Sequence, residues 1–167
     1  MSFSSTVLVK PSGPAELQQQ IAGEALYEAW ELLRAARCVP FMASAPADWL
    51  TEFGRLAAAA AARLGEHVSG ARTPRSLLHA LACNTPELTG AVLAHLDDNP
   101  LLLERAARLA EAADSARQAD LALVVELNEK AIELEMFIAR HNNRLRALLD
   151  ESGGLSMASL ASPGAVS

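Results

Sequence analysis

Between Pro100 and Gly153 the chain meets neither glycine nor proline, the two residues that interrupt helices most effectively. The second half of this stretch carries Val124, Leu127, Ala131, Leu134, Ile138, His141, Leu145 and Leu148 at alternating spacings of three and four. That spacing lays one apolar seam along a helix and suits packing against other helices at a shallow angle. A strand cannot use it, because successive strand side chains point to opposite faces. The stretch reads as one helix of about fifty residues, or as two helices parted at 113–118, where the chain turns small and polar. Arg140, Arg144 and Arg146 sit toward its C-terminal end, where cations complement the helix dipole.

The remaining segments carry the same signals. Residues 15–37 place Leu17, Ile21 and Ala25 in one row and Ala22, Leu26, Trp30 and Leu33 in the next. Val39-Pro40 stops that helix. Pro46 opens another, with Trp49, Phe53, Leu56, Ala60 and Leu64 as its buried row and Ser69-Gly70 at its end. Thr73-Pro74 and Thr85-Pro86 each start a short helix, running to about Cys83 and about Asp98. Asn99-Pro100 is a third signal of this kind and opens the long rod. Half of the chain is apolar but only 4% is aromatic; alanine and leucine dominate, and both favour helix. The expected fold is all-α: an antiparallel helical bundle with a long C-terminal helix, spanning residues 14–150. Residues 1–13 read as a loose arm and 151–167 as a disordered tail.

Several function classes are disfavoured on chemical grounds. A net charge of −6 does not suit a phosphate backbone, so no nucleic-acid partner is expected. Cys38 and Cys83 form no spaced pair and read as reduced, small apolar fillers. No apolar run approaches the roughly 20 residues of a membrane span, and residues 1–10 lack the pattern of a secretory signal. A cytoplasmic location without membrane insertion is expected. No glutamate is followed by a histidine three residues later, the inward pair of di-iron bundles. His79 and Cys83, one turn apart, supply only two ligands, with neither His67 nor His95 placed by sequence to complete a site. No metal, cofactor or catalytic centre is expected. Glu126, Glu129, Glu133 and Glu135 read as a solvated helix face with Lys130 and Arg140 as partners. His141, on the apolar seam, reads as a packed ring or as a pH-sensitive contact.

What remains is a surplus of apolar side chains on the last helix. Besides the seam it carries Leu121, Val125 and Ile132, and on another flank Leu123, Met136 and Phe137. A dimer partner or the short helices would cover them; otherwise they form a face for another protein's amphipathic helix.

The segment 77–154 resembles the FlgN-type flagellar export chaperones. The likeness rests on a Leu-rich segment with a polar break at 77–86 and on Glu126-Leu127-Asn128-Glu129 within the long helix. The amphipathic run 134–149 and the closing Gly153-Gly154 complete it. The family's Leu-Asn element carries a second Asn three residues on; Asn128 matches the first and Ala131 stands in place of the second. Leu155-Ser156-Met157 replaces the family's Leu-Tyr-Gly. The resemblance implies a small, non-enzymatic cytoplasmic chaperone that escorts a hook-filament junction protein to a type III export gate. It would bind the client's C-terminal helical segment through the last helix. The residues expected to make that contact are Leu123, Leu127, Asn128, Leu134, Met136, Phe137, Ile138 and Leu145. A charge at Leu134 or Ile138 is then expected to abolish capture while helix content survives. The alternatives are a self-associating structural bundle and, against the missing ligand motif, a four-helix metal protein.

Overall fold

In the computed structural model, residues 14–72 and 76–152 are described, with side chains from Gly23 onward. Five α-helices and one 3-10 turn make up these residues: α1 (Pro14–Arg37), α2 (Pro46–Ala71), α3 (Leu77–Asn84), the turn Pro86–Leu88, α4 (Thr89–Ser115) and α5 (Leu121–Glu151). No strand occurs among them. No described helix is long and apolar enough to cross a membrane.

Four of the helices close into a ring: α1 packs on α2, α2 on α4, α4 on α5, and α5 back on α1. Cross-links fix each pair as antiparallel. Arg63 of α2 reaches Glu28 of α1 at 2.9 Å, and the Trp49 indole N–H donates to the Val39 carbonyl at the opposite end. Gly54, early in α2, faces Ala113, late in α4; a Cβ on Gly54 would sit 3.6 Å from the Ala113 Cβ. Arg144, late in α5, pairs with Asp98, early in α4. Arg37, at the end of α1, grips both Glu135 carboxylate oxygens of α5 at 2.9 and 3.0 Å.

The main core lies inside the ring and draws on all four helices: Leu33, Phe53, Leu64, Leu102, Leu109, Leu127 and Leu134 are fully enclosed. Each such side chain stabilises the fold by about 1.5–3 kcal/mol. The short α3 closes one end over a second cluster of Ala71, Leu77, Leu78, Leu81, Val92 and Leu148. A helix of its length is unstable alone in water; docking of its three leucines supports it.

The expected all-α class and the Pro46 helix with its five-residue buried row are found as read. Boundaries differ at three places, one of them Thr85-Pro86, which opens only the 3-10 turn ahead of α4 and makes no side-chain cap. Pro100 does not cap a helix but lies inside α4. Its missing N–H and its ring cost about 3 kcal/mol in a helix interior. Val92 and His95 before it, and Leu102, Ala106 and Leu109 after it, are all buried, and that packing holds the helix continuous. Of the two readings of the rod, the parted one holds: α4 ends at Ser115, and α5 starts where the Asp120 carboxylate accepts from the Leu123 N–H at 2.8 Å. Before α3, Ser76 supplies the cap, its hydroxyl accepting from the His79 N–H at 3.2 Å. The cysteines are corrected too: Cys38 and Cys83 are exposed and fill no core. The arm 1–13, Thr73-Pro74, the Gly153 stop, the tail beyond it and the side chains of Leu17, Ile21 and Ala22 lie outside the described residues.

Candidate functional site: the outer face of α5

At about 100° per residue, the seam and the surplus residues of α5 fall on different sides of the helix. Val124, Leu127, Ala131, Leu134, Ile138, His141 and Leu148 face inward and are buried; Leu145 is half-buried at the same side. Leu121, Val125, Ile132 and Met136 instead fall within an arc of about 60° on the outside. Their exposures are 68, 49, 37 and 58%. The four residues span about 22 Å of helix. α1 ends at Arg37, whose guanidinium meets Glu135, so α1 flanks α5 only from that level toward the C-terminus of α5.

The stripe runs on into a groove between α5 and α1 of about 260 Å³, lined by Tyr27, Trp30, Ile138, Ala139 and Asn143 among others. Tyr27 is exposed there. On the other side of the stripe stand Glu129 and Glu133, both exposed and without an ion pair among the described contacts, whereas Glu126 is held by Lys130. The surface is therefore an apolar track with one acidic edge.

Of the eight residues expected to form the contact, Met136 alone is open to solvent. Leu127, Leu134 and Ile138 are buried in the chain's own core and leave the docking face; a charge at Leu134 or Ile138 would unfold the bundle rather than spare the helix. Leu123 and Phe137 are half-buried at the core's edge. The Phe137 ring is covered by the guanidinium groups of Arg105 at 4.9 Å and Arg140 at 5.6 Å. Asn128 is half-buried, and Leu145 packs on the second cluster. Met136 does not lie on a separate flank from Ile132; four residues apart, the two share one line. Tyr27, Ala139 and Asn143 were not foreseen at all, since nothing in a helix names the partner that will border its groove. Glu135 is also corrected: it is buried and paired with Arg37, not part of a solvated face.

A second cluster lies where the two cores meet. His67 of α2, His95 of α4 and His141 of α5 are all buried. The His67 and His141 Nε2 atoms are 3.1 Å apart. The His95 ring stacks on His141 with centroids at 3.9 Å and planes 24° apart. Sequence spacing alone does not reveal this meeting of three helices. His79 and Cys83, by contrast, are both exposed on α3, with Nε2 and Sγ 3.6 Å apart.

No protein-family model, curated protein or solved structure matches this chain.

Proposed function

We propose that the chain is a non-enzymatic protein-binding module that captures an amphipathic helical segment of a partner along the outer face of α5. The observation that carries this reading is the exposed row Leu121, Val125, Ile132 and Met136. Apolar side chains repeating at helical spacing on an otherwise folded surface fit a partner helix laid alongside. The unpaired Glu129 and Glu133 favour a partner whose apolar face is bordered by lysine or arginine. Met136 gives the track an adaptable, polarisable side chain. The likeness of residues 77–154 to FlgN-type chaperones supplies a specific form of the proposal. The partner is then the C-terminal helical segment of a flagellar hook-filament junction protein, held in the cytoplasm before type III export.

The test uses a labelled peptide of that segment and the full chain. Wild type is expected to bind, and Ile132→Asp/Met136→Asp to lose at least about tenfold in affinity (about 1.4 kcal/mol) with its helix content unchanged. Full retention of binding by the double variant would remove the outer face from the proposal. A chain that sediments as a dimer at low concentration, and as a monomer in the double variant, would replace the client by a second copy.

A further inference from the structure

The three buried imidazoles join helices that are distant in sequence. A leucine in place of His141 would fill similar space. The arrangement at 3.1 Å also limits how many protons the cluster can hold. One of the two facing Nε2 atoms must carry hydrogen and the other must accept it. A single added proton can be absorbed if the neighbouring ring adopts the accepting tautomer. Protons on both His67 and His141 cannot, because two N–H groups would then face each other, and a proton on His95 would lie stacked against a charged neighbour.

We infer that His67, His95 and His141 form an acid-sensitive clasp: neutral, the rings hold α2, α4 and α5 together at the α3 end of the bundle, and protonation of more than one drives those helices apart. Around His95 and His141 the described residues offer little to neutralise an imidazolium. From α4, the Asp98 carboxylate stands 4.0 Å from the His141 Nδ1, but it is already paired with Arg144 of α5. Arg144 adds a second cation near the rings. Asn99 of α4 is fully buried and uncharged. Glu66, beside His67 on α2, is paired with Arg63. α3 brings His79, which is exposed and turned to Cys83, and α1 brings Glu24 and Tyr27, both exposed. Burial first, and then the other imidazoles, push His141 down to about 3. Burial first, and then His67, push His95 down to about 4, against a smaller upward pull from Asp98. Opening this end would uncover the leucines that α3 now seals.

No group of three His, Cys, Asp or Glu side chains among the described residues is arranged to hold a metal ion.

The sign follows from linkage. Both rings bind protons in the unfolded chain near their ordinary value of about 6.5 but in the folded chain only at about 4 and about 3. Stability is therefore complete above about pH 6.5 and falls with acidification through that window. Denaturant unfolding of the full chain from about pH 8 to about pH 4.5 should show a folding constant that is level above about pH 6.5 and, below it, falls toward about tenfold per pH unit for each of His95 and His141. His141→Leu should flatten that slope by about tenfold per unit or more, while surface carboxylates contribute equally to both proteins. Should His141→Leu fail to fold, ring-resolved NMR titration of the unaltered chain decides. His95 and His141 should remain neutral wherever the native spectrum persists. Ordinary titration of the rings near 6.5 in the folded chain would overturn the clasp. An acid slope unchanged in His141→Leu would do so as well. Stoichiometric Zn²⁺ binding that raises the unfolding midpoint would recast the cluster as a metal site.

Discussion

The inner and outer faces of α5 are made of the same material and meet opposite fates. Leu127, Leu134 and Ile138 on the inside are buried, while Leu121, Val125, Ile132 and Met136 on the outside are open. Both sets recur at helical spacing, and both would favour leaving water. What separates them is the neighbourhood: α1 and α4 approach the inner face from either side, and α1 stops at the level of Glu135. Hydrophobic periodicity therefore marks surfaces that can be covered, and only the placement of other helices decides which are. The inner face is the one that folds the chain; the outer face is the one left exposed.

This contrast can be broken most forcefully at Leu134. Leu134→Asp places a charge among packed leucines and should unfold the bundle, a loss of at least about 4 kcal/mol that removes the cooperative transition in circular dichroism. A milder break is Leu127→Ala, which leaves a cavity in the main core and should cost about 2–5 kcal/mol by denaturant unfolding. Asp120→Ala touches neither face. It deletes the acceptor for the Leu123 N–H and should cost about 1 kcal/mol, with faster amide exchange in the first turn that carries Leu121. The smallest effect sharpens the contrast: Ile132→Ser and Met136→Gln should shift stability by no more than about 0.5 kcal/mol. A loss comparable to that of Leu127→Ala would mean that the outer row is packed after all.

Much of the fold was legible because its causes are local. Pro46, the Trp49 to Leu64 row and the 3-4 seam of α5 depend on residues a few positions apart, and each stands where the spacing puts it. Asn99-Pro100 misled because proline's local preference is an energy of a few kcal/mol, smaller than the burial of the five flanking side chains that keep α4 continuous. Glu135 misled for a related reason: its partner Arg37 is 98 positions away. The candidate site was legible in composition but not in membership. Leu121, Val125 and Ile132 stood out as surplus, whereas the residues expected to make the contact were mostly those the chain keeps for itself.

The sequence by itself determined that helices form, where α1 and α2 begin, and that the last carries two apolar rows, since these follow from propensity and the 3.6-residue period. Tertiary structure decided which row is covered, how α1 borders a groove, and that imidazoles from α2, α4 and α5 come into contact. Those outcomes depend on where one helix ends beside another, a distance set by the whole packing and carried by no single segment.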